Sequence, residues 1–165
     1  MYEIFEHTAD LGLRVRAANP DELFADAARG LFSIMVANLA AVRTIEETPF
    51  QLHGDDLEEL FHDWLAELLY TFHARRLVLA EFDVQIGSPL KKGTGSEPTS
   101  ENPAKNDERE VPVPLFQWGL TATGRGEPID PSRHQIDVEV KAITWHGLKV
   151  EQQSDGWLAE MIVDI

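Results

Sequence analysis

The chain closes on Trp157-Leu158-Ala159-Glu160-Met161-Ile162-Val163-Asp164-Ile165, and its last two residues bring two anions together, the Asp164 carboxylate and the α-carboxylate of Ile165. Like charges held that close require a counter-charge, which a cation, an Arg or Lys side chain, or water can supply. The closeness follows from a strand reading: Trp157, Ala159, Met161, Val163 and Ile165 fall on one face at period two. An ordered end of this kind is unusual, because immobilising a terminus costs conformational entropy for little return.

The elements that must position these groups are legible from pattern. Glu3-Ile4-Phe5 reads as a short strand, and Leu11, Leu13, Val15 and Ala17 alternate with Gly12, Arg14 and Arg16 as a half-buried one. His7-Thr8-Ala9-Asp10 is the turn between them. Asn19 caps a helix with Pro20 at its first position and Asp21 and Glu22 in its first turn; Leu23, Phe24, Ala27, Ala28, Leu31, Phe32 and Met35 form its apolar stripe. A second helix starts around Asp55 and Asp56 and buries Leu57, Leu60, Phe61, Trp64, Leu65, Leu68, Leu69 and Phe72. Both stripes read as core, and Asp55-Asp56, Glu58-Glu59 and Asp63 as the solvated start of a helix stabilised by its dipole. Further strands are expected over Pro49–His53, Leu77–Ile86, Leu115–Thr123, Ile136–Ile143, Leu148–Gln152 and Trp157–Ile165. Gly124-Arg125-Gly126 reads as a turn.

Residues 87–110 are Pro, Gly, Ser, Thr, Asn and charge, with Leu90 and Ala104 the main aliphatics. Such a composition buries too little surface to order itself, so a disordered hairpin insertion within one domain spanning 1–165 is expected. The fold class is α+β: a mixed or antiparallel sheet packed against two main helices.

Composition narrows the function. With 14 Lys and Arg against 29 Asp and Glu, the net charge is −15, a surface that repels phosphate backbones and argues against unaided nucleic-acid binding. It suits solubility, a bound cation, or docking onto a basic face of another protein. Zero cysteines exclude disulfides, thiolate metal sites and a Cys nucleophile. No apolar run reaches bilayer length and the first residues lack a signal-peptide pattern, so a cytoplasmic protein with no membrane association is expected. There is no phosphate-cradling P-loop and no nucleophile elbow. His53, His62, His73 and His134 share no metal-ligand spacing.

Five segments in order resemble the archease family: His7-Thr8-Ala9-Asp10 before a Gly-containing strand, Trp64-Leu65-Ala66-Glu67-Leu68-Leu69-Tyr70, Gly126-Glu127 with Asp130 and His134, Glu139 through Leu148, and the Asp-Ile ending. The resemblance covers nearly the whole chain outside 87–110. It implies a small α+β protein that acts as cofactor of the RtcB-type RNA ligase in tRNA splicing. That role is to promote guanylylation of the ligase by GTP and to allow multiple turnover, without being an enzyme itself. It also implies a metal site of Asp10, Asp164 and Ile165. Hard oxygen donors of this kind suit Ca²⁺ first, with Mg²⁺ or Mn²⁺ as alternatives.

Other readings of these residues stand beside that one. Asp10 can simply cap its turn, and Asp164 can pair with Arg14 or Arg16. His7, Lys141 and His146 lie inside matched segments and are candidates for the same surface, either beside the metal ligands or facing a partner. Lys141 also shares a strand face with Asp137 and Glu139, where a surface ion pair is the simplest account. Two further functions compete with ligase activation: a general chaperone for nucleic-acid-processing enzymes, and a metal-dependent hydrolase using Asp10 with a nearby His.

Overall fold

Asn19 opens the first helix as its pattern requires: its side-chain oxygen accepts the Glu22 N–H at 2.9 Å, and Pro20 follows at the first helical position. In the computed structural model, which describes residues 1–87 and 117–165, that helix is α1 (Pro20–Met35). Before it come β1 (Tyr2–His7) and β2 (Asp10–Ala17). After it come β3 (Glu46–Gly54), α2 (Leu57–His73), β4 (Leu77–Gly87), β5 (Trp118–Pro128), β6 (Ala142–Ile143), β7 (Lys149–Gln153) and β8 (Gly156–Asp164). Apart from Gly87, the expected insertion at 87–110 lies outside the described residues, as do Leu115 and Phe116.

The chain is α+β, and among the described residues every strand pair is antiparallel. The strands form two sheets. One has the order β1-β2-β8-β6, with β7 also paired to β8; the other is β3-β5-β4. Helix α1 is wedged between them. On one side Gly30 lets the Leu13 side chain of β2 approach closely; on the other, Arg29 donates to the Phe82 carbonyl of β4 at 3.4 Å and Asp21 accepts the Ile86 N–H at 2.8 Å. This is why α1 buries residues on more than one face. Helix α2 closes the core with Trp64, fully buried, whose indole N–H donates to the Phe24 carbonyl of α1 at 3.0 Å and whose ring meets Phe50 edge-on.

Three expectations need correction. The strand expected over Ile136–Ile143 is only a bridge at Ile136 and the two residues of β6. Residues 137–141 instead cross as an extended strap bonded mainly to its surroundings at intervals. Asp137 N–H donates to Met35, Lys141 N–H to the Asp164 carbonyl, and the His73 imidazole lies 2.8 Å from the Val140 carbonyl. The alternation is real, since Val140 is buried and Glu139 exposed, but among the described residues no neighbouring strand runs alongside. The strand expected to stop at Thr123 continues to Pro128. With it, Gly124-Arg125-Gly126 is strand interior rather than a turn, because a Cβ at Gly126 would lie 1.9 Å from the Val78 carbonyl oxygen. The glycines there serve close strand approach, not reversal.

A polar knot anchors one end of the strap. Glu127, at 3% exposure, accepts two hydrogen bonds from the Arg133 guanidinium at 2.8 and 2.9 Å, the Arg43 N–H at 2.9 Å, and the His134 Nε2 contact at 3.1 Å. The Asp130 N–H donates to His134 Nδ1, which leaves Nε2 as the protonated nitrogen facing Glu127. The bonds from Arg133, then that from Arg43, outweigh burial and hold the Glu127 carboxyl well below the usual carboxylate range. The Gly126-Glu127…Asp130…His134 segment is therefore a structural brace.

A group whose folded pKa is depressed stabilises the fold above its unfolded value and loses that contribution as pH falls. Chemical denaturation should thus show stability falling as pH drops below about 4.5, the ordinary Glu value. In Glu127→Gln the stability at pH 7 should be lower and this acid-dependent loss smaller; an unchanged acid profile would contradict the brace. Gly126→Ala should cost about 3 kcal/mol in the same assay, because the added methyl meets backbone rather than a movable side chain.

Candidate functional site

The register of the larger sheet assembles the acidic residues. His7 pairs with Asp10 across the β1–β2 hairpin, Leu11 with Val163 between β2 and β8, and Ala142 with Asp164 between β6 and β8. Continuing the β2–β8 register by one step sets Asp10 opposite Asp164. One row thus runs His7, Asp10, Asp164, Ala142 across four strands. Directly opposed residues share a face. Leu13, Val15, Met161 and Val163 point into the core, so Asp10 and Asp164 lie on the other face, away from α1.

That face is shaped by one close approach. Gly12 sits directly under the Phe5 ring, where a Cβ would come within 2.1 Å, and the Arg14 guanidinium covers the same ring at 5.0 Å. At the opening of the row the two-residue turn holds Thr8 at φ 55°, an uncommon conformation for a β-branched residue. On the opposite edge, Thr144 to Leu148 form a tight turn closed by Leu148 N–H to the Trp145 carbonyl, with Gly147 at φ 64° supplying the left-handed residue it needs. The turn brings the His146 ring to 5.7 Å from that of His7.

The structure therefore gathers the candidates named from sequence. Asp10 is half-buried and Asp164 exposed. Lys141 donates through Nζ to the backbone oxygen of Ile165 at 3.1 Å. It forms no salt bridge with Asp137 or Glu139, so the surface-pair account of Lys141 fails: the strap is not a strand there, and the side chain turns to Ile165 instead. Nor, among the described residues, does an arginine pair with Asp164. Arg14 engages Glu160, with Glu3 at 3.5 Å, and Arg16 bonds Gln153 at 3.0 Å. Lys149 adds a second cation to Glu160 at 2.9 Å; burial alone would raise that carboxyl, and the bonds from Lys149 and Arg14 hold it below its usual range. The Arg14–Glu160 row, which lies beyond Gly12–Ile162 on the same face, is thus charge-compensated, while the Asp10–Asp164 row has Lys141 beside it and no salt bridge among the described residues. His7 Nδ1 is buried beside it without a hydrogen-bond partner among the described residues.

The donor chemistry suits a hard cation: two carboxylates in one row and the oxygen of Ile165. Among the described residues no three His, Cys, Asp or Glu side chains converge closely enough to hold a metal, so any third protein donor here is main chain. Sequence reasoning missed one feature of this region. Trp145 is 57% exposed, yet its indole lies flat on the His62 ring of α2, centroids 4.1 Å apart and planes 11° apart. The Thr144-Trp145-His146-Gly147 turn was visible in sequence; the direction of the indole was not.

A family model described as the archease protein family matches residues 2–165. The chain belongs to the archease family. It is 36% identical over 164 residues to the protein archease of Methanopyrus kandleri and 33% identical over 165 to that of Pyrococcus abyssi, covering 99% of itself and 99% and 98% of those chains. Among solved structures it resembles Methanobacterium thermoautotrophicum protein 1598, with TM-score 0.72 at 24% identity, covering 99% of this chain and 98% of that one. It also resembles an archease of Thermotoga maritima described as a possible chaperone, with TM-score 0.54 at 16% identity, covering 100% of this chain and 98% of that one. These two likenesses concern the fold. No described helix is long and apolar enough to cross a membrane.

Opposed like charges destabilise a sheet by a few tenths to about 1 kcal/mol. In EDTA, Asp164→Asn should therefore raise the melting temperature slightly, and the gain should fade in about 1 M salt as screening takes over. A loss of stability, or a gain indifferent to salt, would contradict the placement of Asp10 opposite Asp164.

Proposed function

We propose that this archease is a non-enzymatic activator of an RtcB-type RNA ligase in tRNA splicing, promoting guanylylation of the ligase by GTP and its multiple turnover in the cytoplasm. The observation that supports this reading best is the cross-strand row in which Asp10 and Asp164 stand together, with Lys141 on the oxygen of Ile165. In this proposal Asp10, Asp164 and Ile165 hold a divalent cation, Ca²⁺ by donor hardness, with Mg²⁺ or Mn²⁺ as alternatives. A bound cation supplies positive charge that offsets the carboxylates.

The chain's own groups do the rest. The β2–β8 register fixes the two carboxylates before any partner arrives, and Lys141 tempers their repulsion. His7 and His146 border the row on one side and can hydrogen-bond groups that approach it. Nucleotidyl transfer depends largely on placing charged groups correctly, so a rigid acidic row that docks at a basic, nucleotide-binding cleft has leverage on the rate. The net charge of −15 favours such a protein cleft over RNA itself. The Thermotoga maritima archease, described as a possible chaperone, supports a broader role as the second reading; several unrelated clients in a pull-down would favour it.

The test is transfer of radiolabelled GTP to a cognate ligase with wild-type protein and Asp10→Ala. The expected result is stimulation by wild type and a loss of about tenfold or more in the variant, with both melting cooperatively. Equal stimulation by both would remove the acidic row from the activity, and none by either would overturn the activator role.

A further inference from the structure

Single exposed apolar residues are ordinary on protein surfaces. Trp145 is both exposed and fixed. Its backbone opens a turn that Gly147 closes in a left-handed conformation, and Thr144 before it bonds the Ile162 carbonyl through both its N–H, at 3.3 Å, and its hydroxyl, at 2.8 Å. One indole face is spent on His62, itself 3.0 Å from Asp63. The other face is open to solvent. The turn that carries it begins next to Ala142–Ile143, which pair with Asp164 and Val163, and the adjacent His146 reaches His7. A rigid aromatic plane therefore stands one residue from His146, the group that borders the acidic row.

We propose that Trp145 is the docking anchor of this archease, and that its free face receives a cationic side chain, an arginine above all, at the edge of a basic protein cleft while the Asp10–Asp164 row faces into that cleft. Charge complementarity selects this occupant: an electron-rich indole face beside the His62–Asp63 pair, on a chain of net charge −15, favours a guanidinium and disfavours a phosphate-bearing base. Preorganisation gives the contact its weight, because the turn and His62 have already removed the rotamer freedom that binding would otherwise have to freeze. The inference rests on the activator reading, but assigns Trp145 to affinity and leaves Asp10 with the effect on the reaction.

The two roles separate in one experiment on the full chain with the intact ligase. Affinity is measured by biolayer interferometry, and guanylylation is followed as a function of archease concentration. Trp145→Ala should weaken binding about tenfold or more and shift the half-maximal concentration equally, while stimulation at saturation stays at the wild-type level. Trp145→Phe should recover part of the affinity, and His62→Ala should lose part of it. Ile45→Ala, an exposed apolar residue before β3, should bind as wild type. Asp10→Ala should show the reverse split, with affinity within about threefold of wild type. Wild-type affinity in a Trp145→Ala protein that melts normally would overturn the proposal, as would loss of saturated stimulation without loss of affinity. It would also be overturned if a single-stranded RNA oligonucleotide quenched Trp145 fluorescence at physiological salt, or if sedimentation showed a dimer that Trp145→Ala dissolves. If wild type neither binds nor stimulates the ligase, the activator reading itself fails and this assignment falls with it.

Discussion

Seven consecutive pairs join β2 to β8, from Leu11 opposite Val163 to Ala17 opposite Trp157, and the placement of the candidate site depends on that register. Its inner face contributes Leu13, Val15, Ala159, Met161 and Val163, all essentially inaccessible, to the core against α1. A slip by one residue would turn those side chains to the outer face and carry Asp10 and Asp164 apart. Burial of apolar surface therefore enforces the electrostatic arrangement: the core holds two like charges where neither would settle alone. Strand β8 is flanked on both edges, by β2 on one side and by β6 and β7 on the other, so the row it ends in is built into the sheet.

The remaining parts of the site are placed by a longer mechanical chain. The Glu127 knot ties the 130–135 turn to the exit of α1, with Asn38 bonded to the Arg133 carbonyl at 2.8 Å and to the Gln135 N–H at 2.7 Å. From there the strap crosses to β8 and delivers Lys141 to Ile165, then β6, then the turn bearing Trp145 and His146. Burying a carboxylate such as Glu127 is tolerable only because Arg133, Arg43 and His134 satisfy it together. A segment with conspicuous Glu, Asp and His thus serves position, and the proposed chemistry rests on the less conspicuous carboxylates of Asp10 and Asp164.

Both helices, their caps and most strands were legible because their periodicities are strong and their punctuation is explicit, as with Asn19-Pro20 and Asp56 before Leu57. The site residues Asp10, Asp164, Ile165, His7, Lys141 and His146 were named from a family resemblance, and their convergence follows from strand pairing that no local pattern encodes. Failures came where backbone partners decide structure. Residues 136–141 alternate like a strand yet pair only at the Ile136 bridge among the described residues, and Gly124 and Gly126 look like turn residues yet admit close side-chain and backbone approach. The Trp145–His62 stack joins residues 83 positions apart, beyond the reach of any spacing argument.

The cross-strand row of Asp10 and Asp164 is the proposed divalent-cation site of this archease. Titrating Mn²⁺ into uniformly ¹⁵N-labelled protein tests it directly, because paramagnetic broadening falls steeply with distance and reports position without reference to any activity. The account predicts that the amides of Asp10, Leu11, Asp164 and Ile165 broaden first, that excess Ca²⁺ restores them, and that Asp10→Ala abolishes the effect. Broadening first at Asp55–Asp63, or no selective broadening at all, would contradict it.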